Sequence, residues 1–122
     1  MSRIRIALTA SLVAFGLLVP GLGQARTQKT ILNGTTGPGF TITLKTTSGK
    51  KVTKLKAGVY AIKVADKSSI HNYRLKGPGV NKEITGVKFV GTKTAIFTLK
   101  PGKYTYVCDP HKAIMKGSFT VS

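Results

Sequence analysis

Pro101-Gly102-Lys103-Tyr104-Thr105-Tyr106-Val107-Cys108-Asp109-Pro110-His111 is the stretch from which the rest of the chain is read. Pro101-Gly102 is a tight turn, and the residues after it alternate, so Tyr104, Tyr106 and Cys108 share one face of a strand. Asp109-Pro110 ends that strand stiffly, because Pro110 fixes its own φ and biases Asp109 towards extended geometry. Gly117-Ser118-Phe119-Thr120-Val121 follows as a final strand, with Phe119 and Val121 packing inward.

The same period of two recurs upstream. Phe40, Ile42 and Leu44 share a face, as do Tyr60, Ile62 and Val64, and so do His71, Tyr73 and Leu75. Thr94 to Leu99 alternates again, and Thr27 to Leu32 is a first strand. Asn33 to Gly39, Ser48-Gly49, Asp66 to Ser69, Gly77-Pro78-Gly79 and Pro101-Gly102 punctuate these runs as turns or loops. Val80 to Val90 is less regular. No segment carries a helical period of several turns. Short strands rich in Thr, Val, Ile, Tyr and Phe at regular spacing predict an all-β antiparallel sandwich or Greek-key barrel.

The donor inventory is short. The chain has one cysteine, Cys108, and two histidines, His71 and His111. Its two methionines are Met1 and Met115, and Met1 lies in a segment expected to be removed. Thiolate, imidazole and thioether within eight residues suit copper: sulfur favours Cu(I), imidazole serves both oxidation states, and His2Cys with a weak axial Met is the blue-copper arrangement. The plain alternative is a buried thiol, a surface histidine and a core methionine that happen to be neighbours. His71 lies on the apolar face of its strand, where an unpartnered imidazole is unfavourable.

Residues 1–25 read as an export signal: Arg3 and Arg5, then an apolar run from Ile6 to Val19, then Pro20 and small residues at Gly23 and Ala25. Fourteen apolar residues are too few for a bilayer-spanning helix, which needs about 20. Cleavage after Ala25 leaves one domain, 26–122, in the periplasm or secreted, and likewise without a cysteine pair. The full chain holds 20 Lys+Arg against 3 Asp+Glu, a net charge of +17. Such a field selects anionic partners, an acidic protein face or an anionic membrane or wall surface. Export argues against nucleic acid, and the lysines are scattered singly, as solvated strand faces have them.

The mature chain resembles the plastocyanin-like cupredoxins, including relatives of pseudoazurin and amicyanin. The resemblance is carried by Ser69-Ile70-His71-Asn72-Tyr73, by Pro101 to Cys108, and by Cys108-x-x-His111-x-x-x-Met115-x-Gly117. It implies a cupredoxin-like Greek-key β-sandwich of seven to eight strands. It implies one type 1 copper with His71, Cys108 and His111 as strong ligands and Met115 as the weak axial one, and an Asn72 that ties the first-ligand strand to the Cys loop. Three residues separate His111 from Met115, against four in plastocyanin and two in amicyanin, and plastocyanin's acidic patch is absent.

The implied function is one-electron transfer by a monomer, with the solvent-side edge of His111 as the port. Lys112 and Lys116 would steer an acidic redox partner, or are simply solvated loop charges. The alternative is copper delivery or buffering. A zinc hydrolase built on Cys, two His and water would need a general acid or base from Asp66, Glu83 or Asp109, and an enzyme is not expected.

Overall fold

A computed structural model describes residues 29–122; the expected export signal lies outside the described residues. Nine strands form two sheets. They are β1 (Thr30–Thr36), β2 (Ile42–Thr46), β3 (Lys54–Leu55), β4 (Gly58–Asp66), β5 (Tyr73–Gly77), β6 (Val80–Thr85), β7 (Gly91–Leu99), β8 (Gly102–Val107) and β9 (Lys116–Val121). One sheet runs β2-β1-β4-β7 and the other β3-β9-β8-β5-β6. The all-β sandwich expected from the alternation is present.

Three details differ from the sequence expectation. The sheets are mixed, since β1 pairs parallel with β4 and β3 parallel with β9. The count is nine because the two-residue β3 and the hairpin strand β6 add to the runs that alternate clearly. β6 pairs with β5 from Gly77↔Val80 to Tyr73↔Thr85 at the edge of its sheet. Asn81, Lys82 and Glu83 face solvent there, which is why no apolar alternation marks it.

The Asn33-Gly34 turn is also absent. β1 runs through it to Thr36, with Gly34 opposite Val64. Gly34 serves a close approach instead: a Cβ there would stand 2.9 Å from the Tyr73 ring. The turn falls at Gly37, where φ is +75°, a conformation that glycine adopts without strain.

The core lies between the sheets. Leu32, Leu44, Ile62, Val64, Leu75 and Leu99 are buried together with four tyrosines and Phe119. Full burial of each large aliphatic side chain contributes about 1.5–3 kcal/mol. The aromatics are layered: Tyr73 on Tyr106 at 5.9 Å and Tyr104 on Phe119 at 5.4 Å between centroids, both nearly parallel. Their hydroxyls are satisfied at the sheet margins, where Tyr73 donates to Thr43 O at 2.9 Å and Tyr104 to Lys100 O at 2.9 Å. The Tyr106 ring lies flat over Gly117, so the Met-x-Gly entry into β9 needs a residue without a side chain.

Candidate metal centre

The strand pair β5–β8 delivers two segments to one end of the sandwich. Cys108 follows β8 directly in extended geometry (φ −94°, ψ 115°), and Asp109–His111 then form a single 3-10 turn with Pro110 in its first turn. Backbone bonds close this loop on itself. Cys108 N–H donates to Met115 O at 3.0 Å, His111 N–H to Cys108 O at 3.1 Å, and Met115 N–H to His111 O at 2.9 Å. Cys108 and Met115 are 0 % exposed, while His111 keeps a solvent-facing edge.

His71 is fully buried but stands two residues before β5, on the turn that leads into it, and not on the strand itself. The inner-face row Tyr73–Leu75 continues to it, so the alternation located it correctly. Its Nδ1 lies 3.1 Å from His111 Nδ1 and 3.8 Å from Cys108 Sγ, and His111 Nδ1 lies 3.6 Å from the same sulfur. His71, Cys108 and His111 are the cluster of metal-binding donors found among the described residues.

The triangle fits a metal ion. Bonds of about 2.0–2.1 Å to nitrogen and about 2.3 Å to sulfur, spread trigonally, separate the donors by roughly 3.5–3.8 Å, which both N–S distances match while the two nitrogens stand somewhat closer. One thiolate and two imidazoles with a buried thioether nearby is a donor set for copper, and the lack of an oxygen donor among them disfavours calcium or magnesium. The rings meet edge to face, with centroids 4.8 Å apart.

A polar clamp holds the two segments together. Asn72, 0 % exposed, accepts the Asp109 N–H at 2.7 Å through Oδ1. Its Nδ2 donates to Asp109 Oδ2 at 2.7 Å and to Glu83 Oε2 at 2.9 Å. Arg74 Nε completes the set on Asp109 Oδ2 at 2.8 Å, and its Nη2 stands 3.6 Å from Glu83. Asn72 thus ties the His71 segment to the Cys loop, as the resemblance implied. Burial tends to raise the Asp109 pKa, but the Arg74 and Asn72 hydrogen bonds and the charges of Arg74 and Lys76 outweigh it and hold it below the usual value.

Two participants escaped the sequence reading. Asp109 is more than a turn residue, because it is the acceptor on which the clamp converges. Phe40 is not a core residue of β2: it lies before that strand, 56 % exposed, with its ring 5.3 Å from His71 and 5.0 Å from His111. The aromatic after Gly37-Pro38-Gly39 was the available signal, since a turn tip cannot continue a strand's inner face.

Comparison with known proteins agrees with this geometry. A family model described as copper binding proteins, plastocyanin/azurin family, matches residues 27–122. No curated protein matches the sequence. Among solved structures, a methionine-to-glutamine mutant of rusticyanin is similar at TM-score 0.55 and 20% identity, over 75% of this chain and 76% of that one. Rusticyanin from Thiobacillus ferrooxidans is similar at TM-score 0.52 and 21% identity, over 75% and 76%. Reduced rusticyanin is similar at 0.53 and 21%, over 75% and 78%.

Proposed function

The chain belongs to the plastocyanin/azurin family of copper-binding proteins, and on that premise we propose that it carries single electrons between redox partners. His71, Cys108 and His111 would hold one type 1 copper, with the Met115 thioether as a further, weak donor. The observation that carries the reading is the buried triangle of one sulfur and two Nδ1 atoms, 3.1–3.8 Å apart, on a loop closed by its own backbone bonds. Copper supplies the Cu(II)/Cu(I) couple.

The chain's residues supply rigidity, dryness and access. The Asn72–Asp109 clamp and the Cys108–Met115 bonds keep the donors from following a change of charge, so little rearrangement accompanies transfer. Full burial of His71, Cys108 and Met115 excludes water from the donors. The half-exposed edge of His111 is the port. Phe40, Ile70 and Ile114, 56 %, 51 % and 66 % exposed, give a partner an apolar seat around it.

Lys112 on the same loop and Lys116 at the start of β9 are exposed and steer an acidic partner by long-range attraction. Export follows from residues 1–25, and the working form is a periplasmic or secreted monomer, not an enzyme. Copper delivery is the less favoured alternative, because an exchangeable cargo site gains nothing from three enclosed donors.

The test is spectroscopic. The copper-loaded protein should be intensely blue from thiolate charge transfer, with the matching EPR signature, and Cys108→Ser should lose the colour while keeping a folded sandwich. Wild-type protein that takes up copper and stays colourless would sink the reading.

A further inference from the structure

Besides Thr85 Oγ1 on β6, three buried side-chain polar atoms have no hydrogen-bond partner among the described residues: His71 Nε2, Asp66 Oδ2 and Thr36 Oγ1. Their residues are 0 %, 2 % and 0 % exposed. Thr36 and Asp66 are register partners in the parallel β1–β4 pair, and each ends an inner-face row, Leu32–Gly34–Thr36 and Ile62–Val64–Asp66. His71 extends the inner row of β5 from the opposite sheet.

Gly37, next to Thr36, sits against His71 and against the Ser68 turn that follows Asp66. A Cβ there would stand 3.2 Å from His71 Cδ2, the carbon bonded to Nε2, and 2.9 Å from Ser68 Cβ. Ser68 N–H in turn donates to Asp66 Oδ1 at 3.1 Å, which leaves Oδ2 without a donor.

The chemistry of the three atoms is complementary. His71 Nδ1 faces Cys108 Sγ and His111 Nδ1, so with a metal in that triangle the neutral ring carries its proton on Nε2. That N–H needs an acceptor, the Asp66 oxygen needs a donor, and the Thr36 hydroxyl can serve as either. No direct ion pair joins Asp66 to His71 among the described residues. One water accepting from Nε2–H, donating to Asp66 Oδ2 and bonding Thr36 Oγ1 would satisfy all three, and about three bonds is the usual number for a buried water.

We propose that an internal water joins His71 Nε2, Asp66 Oδ2 and Thr36 Oγ1, and that Asp66 is thereby a positioning residue for the copper ligand His71. The proposal rests on His71 being a ligand. Asp66 fixes the ring's tautomer through the water. Its negative charge, held in a low-dielectric core, favours Cu(II) over Cu(I) and keeps the potential down.

Asp66→Asn removes the charge at constant size, and Thr36→Val removes the hydroxyl at constant shape. Both are compared with wild type by voltammetry, and by 15N NMR of the Cu(I) form, where His71 Nε2–H reports directly. The expected result is a wild-type Nε2–H in contact with a long-lived water, faster exchange of that proton in both variants, and a raised potential in Asp66→Asn with blue absorption retained. The Thr36→Val potential should stay near wild type, since no charge is lost. A wild-type Nε2–H without a water contact overturns the proposal even if Asp66→Asn does not fold. A folded, blue Asp66→Asn with the wild-type potential overturns it equally. Failure of the ligand assignment reads differently: His71 Nδ1 would show no metal-induced 15N shift, and both readings would fall.

Discussion

Asn72→Leu tests the clamp between the two metal-bearing segments. Leucine keeps the branched four-atom shape of asparagine with bulkier ends, so the change leaves no cavity and removes every polar contact of the side chain. It orphans the Asp109 N–H, now 2.7 Å from Asn72 Oδ1, a loss of about 1–3 kcal/mol for a part-buried donor. It also removes two bonds to carboxylates whose side chains are 37% and 41% exposed, where water substitutes and each is worth about 0.2–1 kcal/mol. The sum is roughly 1.4–5 kcal/mol. For a domain near 100 residues that lowers Tm by roughly 6–40 °C. The assay is thermal unfolding of the metal-free protein followed by circular dichroism, which keeps the metal's own stabilisation out of the comparison. A double-mutant cycle with Asp109→Ala, which keeps the backbone N–H and so isolates the Nδ2–Oδ2 bond, should return a coupling of about 0.2–1 kcal/mol. A loss under about 1 kcal/mol with no coupling would refute the view that Asn72 joins the segments.

Met115→Gln should lower the potential by offering a harder axial donor, and Met115→Leu should raise it by offering none; voltammetry showing shifts of one sign, or none, removes Met115 from the coordination set. Lys112→Glu with Lys116→Glu should slow electron exchange with an acidic partner and flatten its salt dependence, and unchanged stopped-flow rates at low ionic strength would place the port elsewhere. Tyr73 is held well above the ordinary tyrosine pKa of 10.0, first by burial and then by the neighbouring Tyr106. A raised folded value means that its contribution to stability is complete below the unfolded pKa and is lost as pH rises through the folded one. Alkaline unfolding should therefore begin above about pH 10, with the Tyr73 phenolate absorbance appearing only as the fold opens. Reversible titration of all four tyrosines near pH 10 in folded protein would contradict this.

Wherever one face of a strand is buried and the other wet, the sequence carried the fold openly. Tyr104, Tyr106 and Cys108, or Tyr60, Ile62 and Val64, could be assigned to the core by counting in twos. β6 was hidden because an edge strand with three solvated residues has no such contrast. Gly34 misled because glycine marks a turn and a close aromatic approach with the same letter, and only the position of the Tyr73 ring separates them. The metal site was legible in its donors, because the chain holds so few soft ligands that one site accounts for all but Met1. Its surroundings were not. Phe40 meets His71, Asp109 meets Asn72 and Asp66 pairs with Thr36 from far away in sequence, and spacing along the chain does not register such contacts.

The burial and pairing of the carboxylates bears on more than the geometry of the loop. Asp66 is enclosed, and Glu83 and Asp109 are bound to Arg74, so all three acidic side chains of a chain of net charge +17 are turned to internal use. Two copies approaching port to port therefore meet like charge on like charge, with no counter-patch to offset it. Electron swapping between identical molecules, a futile exchange, should be slow at low ionic strength and should accelerate as salt shortens the Debye length to about 10 Å at 0.1 M. Exchange with an acidic partner should respond to salt in the opposite sense. The same distribution of charge thus insulates the pool of carriers from itself and directs each electron outward.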